Sequence, residues 1–250
     1  MSDKRYDGFF IGWGKKLPEG LKLFVPLISA LLIGIFAGTA WSFVTTQNDP
    51  GEGAFRGRLT ITGKMMALPY PHIFIPPGKR YPNGHTMLIA GPGKRGAQQQ
   101  AEKFDGKLVT VRGALLQRGD LDMMQINPRS MKLVEDDMPP LDDETVSLGR
   151  WTLSGEICDG KCYVGAMRPG NGLAHKACAN LCLIGGIPPV FVSKGEVEGA
   201  SFFLIGDEEG NPLTPDLLKH TAVLLSADGE IERRGDLMVF KMDTSSIRVQ

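Results

Sequence analysis

The sequence predicts a mainly β chain: one N-terminal membrane-spanning helix followed by two small, related β-barrels in tandem. Three observations carry this. Residues 23–44 form a stretch without a single charged side chain. Two later segments repeat one another at a constant offset of 116 residues. All four cysteines fall between residues 158 and 182, inside the second repeat. The composition agrees, since 32 Gly and 17 Pro with 42% apolar residues favour short strands and turns over a helical bundle. The formal net charge is zero, so the broad basic face expected of a nucleic-acid binder is missing.

The helix comes first. Leu23 to Val44 reads LFVPLISALLIGIFAGTAWSFV, and twelve of these 22 residues are Leu, Ile, Val or Phe. At about 1.5 Å per residue such a helix spans roughly 33 Å, enough for a hydrocarbon core of about 30 Å. Pro26 sits in the first turn, where its missing N–H matters least, and Trp41 falls where an interfacial aromatic belongs. Residues 1–22 carry Lys4, Arg5, Lys15, Lys16 and Lys22 against Asp3, Asp7 and Glu19. The positive-inside rule therefore expects a cytoplasmic N-terminus, a single pass through the inner (cytoplasmic) membrane, and a periplasmic remainder. A cleaved signal peptide leaving after Gly38-Thr39-Ala40 is the alternative. Its apolar region is normally shorter, and the segment before it is normally shorter than 22 residues.

The repeat defines the rest. Residues 113–133 (GALLQRGDLDMMQINPRSMKL) align without a gap on residues 229–249 (GEIERRGDLMVFKMDTSSIRV). Gly113 meets Gly229, Arg118-Gly-Asp-Leu121 meets Arg234-Gly-Asp-Leu237, and Ser130 meets Ser246. The same offset pairs Met87-Leu-Ile89 with Phe203-Leu-Ile205. Apolar β-prone runs flank each Arg-Gly-Asp, so each reads as a hairpin turn with glycine supplying positive φ, and not as an adhesion signal. A looser match sets Phe55-Arg-Gly57 against Leu153-Ser-Gly155 at offset 98, implying 18 extra residues in the second copy. Five short strands closed by such a hairpin resemble the OB-fold, a small Greek-key barrel. The expected layout is a cytoplasmic segment 1–22, a transmembrane helix 23–44, barrels at 53–135 and 148–250, and a linker at 136–147. The second barrel carries a helical Cys/His insertion at about 158–189.

That insertion holds the chemistry. Ala174 to Leu183 (AHKACANLCL) is helix-forming and Gly185-Gly186 supplies a stop, which places His175, Cys178 and Cys182 at i, i+3 and i+7 on one face. Cys162 arrives from a strand end. Cys162, His175, Cys178 and Cys182 together make a candidate set for Zn²⁺ or, given soft sulfur, for copper, and Met167 is near enough to join. Asp159 is placed to hold the imidazole from behind. Export favours a simpler account, in which Cys158 and Cys162 cross to Cys178 and Cys182 as two disulfides that staple the loop, with no metal at all. A working thiol pair is the third possibility. C-x-x-C-H and C-x-x-C are both absent, so attached c-type haem and a thioredoxin-like motif have no support.

The motif Asp159-x2-Cys162, His175-x2-Cys178-Ala179-x2-Cys182, Gly186-Ile187-Pro188 is similar to one found in exported, membrane-anchored bacterial proteins of small β-barrel type. The resemblance covers residues 150–250, and Cys158 stands outside it. It implies a fold and a compartment, not an activity. Gly91-Pro-Gly-Lys-Arg-Gly96 lacks Walker spacing and reads as a flexible loop; His72 and His85 have no partners at ligand spacing, and His220, after Leu217-Leu218 in a short helix-like connector, reads as incidental. No Ser-His-Asp order or catalytic carboxylate pair is seen. The expectation is a membrane-anchored, non-catalytic accessory or assembly subunit bound to a membrane or periplasmic complex, with no nucleic acid. The alternative is a protein that handles a metal or cofactor for a redox enzyme.

Overall fold

The computed structural model describes residues 17–46, 51–137, 139–141 and 144–250. The charges expected at Lys4, Arg5, Lys15 and Lys16 lie outside the described residues, as do Met138, Asp142 and Asp143 of the linker. Helix α1 runs from Phe24 to Thr46. It is the one helix among the described residues long and apolar enough to cross a membrane, and its apolar side chains are exposed all round. Two of its hydroxyls are satisfied internally: those of Thr39 and Thr45 donate to the carbonyls of Ile35 and Trp41 one turn back, at 2.8 and 2.9 Å. That is what a hydroxyl in an apolar surrounding must do.

Residues 54–133 form the first barrel. Strands β1 (Ala54–Met66), β2 (His72–Ile75), β3 (His85–Ala90), β4 (Leu108–Arg118) and β5 (Leu121–Ile126) close in the order β1-β2-β3-β5-β4-β1, with β3 and β5 parallel. Helix α2 (Gln98–Lys103) lies between β3 and β4, and the short β6 (Lys132–Leu133) pairs antiparallel with β4. The second barrel repeats this with β7 (Thr145–Asp159), β8 (Pro189–Val197), β9 (Ala200–Gly206), β10 (Leu224–Arg234), β11 (Leu237–Met242) and β12 (Arg248–Val249). Its closed order is β7-β8-β9-β11-β10-β7. Both are OB-like barrels. Strand β7 starts at Thr145, three residues ahead of the expected boundary.

The 116-residue repeat has a physical cause at each matched position. A Cβ on Gly113 would lie 2.5 Å from the Gln125 carbonyl oxygen, and one on Gly229 would lie 2.4 Å from that of Lys241, so neither site admits a side chain. Ser130 and Ser246 accept from the N–H of Arg112 and Asp228 at 3.0 and 2.8 Å, tying the C-terminal turn to the fourth strand in both copies. The Arg-Gly-Asp turns are two-residue hairpins with Gly119 and Gly235 at φ 54° and 60°. Glycine first at positive φ is the order a type II′ hairpin requires.

The first-strand alignment needs correction. Gly63 pairs with Val109, and Gly155 pairs with Leu225, the repeat mate of Val109, so Gly63 and not Gly57 is the counterpart of Gly155. A Cβ at either glycine would come within 2.2 Å of a carbonyl oxygen on the neighbouring strand. Gly57 corresponds instead to Gly149; both have positive φ, and each lies at a register shift. The true match is GRLTITG with GRWTLSG, residues 57–63 and 149–155. Paired Met65 and Ile73 are eight residues apart, whereas paired Ile157 and Phe191 are 34 apart, so the insertion adds 26 residues between strands one and two, not 18.

Each barrel has its own core, built on Met65, Ile73, Met87, Val111 and Met124 in the first and on Leu153, Phe191, Phe203, Ile231 and Phe240 in the second. A third apolar cluster lies between them. Leu88 and Ala90 of β3 and Met123 of β5 meet Val190, Leu204 and Val239 of the second barrel. Strand alternation explains this: Met87 and Ile89 point into their own barrel while Leu88 and Ala90 point to the partner, so β3 is buried on both faces. Cys162 and Cys182 belong to this inter-barrel cluster, which puts the cysteine site at its margin.

Candidate metal centre

Two elements of the insertion bring the thiols together. After β7 the chain makes a single π-type turn, Cys162–Ala166, whose first N–H donates to Asp159 Oδ1 at 2.8 Å. Helix α3 (Lys176–Ile184) then carries Cys178 and Cys182 one turn apart. It stops through Gly186 at φ 86°, with the Gly186 N–H donating to Leu183 and the Ile187 N–H to the Cys182 carbonyl. This paired closure ties Cys182 directly to the chain returning into β8. Asp159, fully buried, uses its second oxygen on His175 Nε2 at 3.0 Å. One carboxylate thus fixes both the turn presenting Cys162 and the imidazole at the start of α3.

The Sγ atoms of Cys162, Cys178 and Cys182 all lie within 4.8 Å of one another, with Cys162 and Cys182 at 3.9 Å. All four cysteines are free thiols. His175 and Asp159 converge on Cys162 but do not join the ring of three sulfurs. Cys158 is turned away, its thiol directed to Glu156 Oε1 at 3.3 Å, and burial raises its pKa well above the ordinary thiol value. Met167 lies beyond the turn, half-exposed. Sulfurs about 3.8–4.0 Å apart are what a single ion with metal–sulfur bonds of about 2.3 Å demands of its ligands.

The charge against the sulfurs comes from the glycine-rich loop of the first barrel, which the sequence presents as a flexible loop. Lys94 Nζ is 2.7 Å from Cys178 Sγ and 3.6 Å from Cys182 Sγ. Buried Lys161, one residue before Cys162, donates to the carbonyls of Gly91 and Gly93 at 2.8 and 2.6 Å and so holds the loop that presents Lys94. The loop is seated backbone to backbone: Gly96 N–H donates to the Gly185 carbonyl at 2.7 Å, and a Cβ on Gly96 would lie 1.9 Å from the Gly186 carbonyl oxygen. Cys182 has its pKa lowered to about 7 by the hydrogen bond from Cys162 and the nearby Lys94 ammonium, while that same bond and burial raise Cys162. The hydrogen bond to Cys178 raises Lys94 in turn.

The arrangement therefore offers three converging sulfurs with the Lys94 ammonium against two of them. Glycine spacing in residues 91–96 was the available signal for a tight backbone contact, but nothing in the sequence tied it to partners 68–91 positions further on. No protein-family model, curated protein or solved structure matches the chain.

Proposed function

We propose that this chain is a membrane-tethered accessory protein that holds a soft metal ion on the thiolates of Cys162, Cys178 and Cys182 and serves a membrane or periplasmic partner with it. The observation that carries this reading is the convergence of three reduced sulfurs from two separately anchored elements. A staple needs only two cysteines at bonding distance. Three sulfurs around one point, buttressed by Asp159 and faced by Lys94, make a ligand arrangement. The apolar helix and the basic excess before it support a cytoplasmic N-terminus with the barrels in the periplasm. In this reading the barrels supply a scaffold and a docking surface, and the protein performs no turnover of its own.

One observation favours a second reading. Cys162 and Cys182, at 3.9 Å, need an approach of only about 2 Å to reach disulfide length, and an oxidising compartment promotes it. The bond would staple the insertion across 20 residues. Both readings are separated by one measurement on full-length protein purified in detergent without oxidant: thiol titration together with elemental analysis. One bound soft metal per chain, released when Cys178 is alkylated, supports the ligand reading. Two thiols remaining and no metal uptake after reduction supports the staple and removes the ligand reading.

A further inference from the structure

Resting on the membrane anchor of the reading above, and not on its sulfurs, we infer that the first barrel carries an arginine face that docks on the anionic phosphates of a phospholipid surface. The zero net charge of the chain conceals a split. Residues 51–133 hold thirteen Lys and Arg against five Asp and Glu, whereas residues 134–250 hold ten against nineteen. Such asymmetry between halves marks an interaction with a polyanion or a membrane.

Part of the excess is gathered in one place. Strands β1 and β4 pair Arg58 with Ala114 and Thr60 with Arg112, while Ile61 and Val111 point into the core, so both arginines stand on the outer face. With Gln125, Asn127 and Pro128 they line a groove of about 420 Å³. A neighbouring hollow shares Pro92 and Pro128 with it and adds Arg95 of the glycine-rich loop. No Asp or Glu lines either one, and among the described residues no carboxylate pairs with Arg58, Arg95 or Arg112. The acids of this barrel are placed elsewhere. Glu52 pairs with Arg168, Glu102 accepts from Gln98, Asp105 accepts from the Ala67 N–H, and Asp120 and Asp122 line a cavity with His85. Glu135 to Asp137 follow β6, whose register runs along β4 away from Arg112.

The second barrel is an internal control. At the repeat positions of Arg58, Arg112, Asn127 and Lys132 it carries Arg150, Asp228, Asp243 and Arg248. There the charges cancel: Arg150 meets Asp243 at 3.7 Å and Arg248 meets Asp228 at 3.4 Å. The first barrel has an arginine and an asparagine in place of the two acids. The same fold therefore forms on a neutral set, and the uncompensated guanidinium groups are not needed to build it. They stay charged at any working pH, and their planar fork suits a phosphate.

Two observations assign the phosphate to lipid. Seven residues, 47–53, connect α1 to β1, a tether of about 25 Å at full stretch, so an anchored chain keeps this barrel near the headgroups. Phe55, 58% exposed and next to Arg56, is the one exposed aromatic of this barrel among the described residues. A single aromatic beside arginines suits a membrane interface, whereas a nucleic-acid strand is read on successive stacking platforms.

The test places the full-length protein in nanodiscs of phosphatidylcholine, alone or with about one third phosphatidylglycerol, and follows phenylglyoxal labelling of each arginine by peptide mass spectrometry. In the anionic discs Arg58 and Arg112 are expected to react roughly threefold or more slowly, with Arg150 and Arg248 unchanged, and about 0.5 M salt should remove the difference. Arg112→Asp combined with Asn127→Asp installs the acids that the second barrel tolerates, and should abolish the slowing at Arg58 while the melting temperature is kept. Equal rates at Arg58 in both discs, slowing shared by all four arginines, or slowing that survives in the double variant overturns the inference and leaves the anchor standing. So does equal protection in phosphatidylcholine discs by a thymidine oligonucleotide or inorganic phosphate at matched phosphate concentration. Protein that fails to enter the discs overturns both.

Discussion

His85 of the first barrel and Asp236 of the second meet across the inter-barrel seam, with Nδ1 and Oδ2 at 2.6 Å. The other ring nitrogen is 3.1 Å from Asp122 Oδ2, and Tyr81 stacks on the ring at 4.6 Å. Asp236 also accepts from the Thr86 N–H at 2.6 Å. The aspartate of the second Arg-Gly-Asp is thereby used up in holding the barrels together.

The first prediction follows from that pair. Burial alone lowers the pKa of His85, but the bonds to Asp122 and Asp236 outweigh it and raise the value to about 9. A histidine raised in the folded state gives stability that is fully present below about pH 6.5 and lost as pH climbs through about 9. The shift corresponds to about 3 kcal/mol as an order of magnitude. Asp236→Asn is expected to lower the melting temperature by several degrees at pH 6.5 and by much less at pH 9.5. Equal loss at both pH values would show that the imidazolium is not the cause.

His72 works in the opposite direction. Fully buried, it has its pKa lowered to about 4, chiefly by desolvation, while Nδ1–H donates to the Tyr70 carbonyl at 2.8 Å. Its contribution is present above about pH 6.5 and is lost as pH falls through about 4. His72→Gln keeps a donor for Tyr70 and removes the titration, so its stability curve should be flatter between pH 6.5 and 4. Thermal unfolding across that range checks it.

The seam between the loop and the helix stop gives a third expectation. Gly96→Ala puts a Cβ against the Gly186 carbonyl, and Gly185→Ala puts one 1.8 Å from that of Lys94. Both involve backbone, which cannot swing aside. Each substitution should cost about 2 kcal/mol or more and release the loop. Protease sensitivity near residues 91–96, compared with the parent protein, reads the release directly.

Among the cysteines the predicted ranking is steep. Cys178→Ser or Cys182→Ser removes one of three ligands and should reduce metal affinity by roughly a hundredfold or more. Cys158→Ser, whose side chain faces Glu156, should leave metal stoichiometry unchanged. A loss of binding in Cys158→Ser equal to that in Cys178→Ser would assign Cys158 to the centre and displace the three-sulfur arrangement.

Much of the barrel pair was legible because the repeat encodes backbone geometry. Gly113 and Gly229 persist where a carbonyl crowds the Cα, and Ser130 and Ser246 persist where a strand N–H needs an acceptor. The first strand was misaligned by six residues. Gly57 resembles Gly155 locally, and only pairing with β4 and β10 distinguishes a bulge glycine from a close-contact glycine. Lys94 was not legible as part of the centre at all. Its loop reads as mobile in isolation and becomes rigid only against Gly185 and Gly186.

The N-terminal helix, the tandem strands and the grouping of Cys162, His175, Cys178 and Cys182 in one insertion were determined by the sequence alone, through composition, period and spacing. Those are local properties, and a chain carries them wherever it folds. Which sulfurs converge, that His175 is held by Asp159, and that Lys94 reaches Cys178 were decided by tertiary structure. The reason is that apolar burial of Leu88, Met123, Val190 and Val239 docks two barrels whose site residues lie 68 or more positions apart. Charge at a distance in sequence becomes chemistry only once that seam has closed.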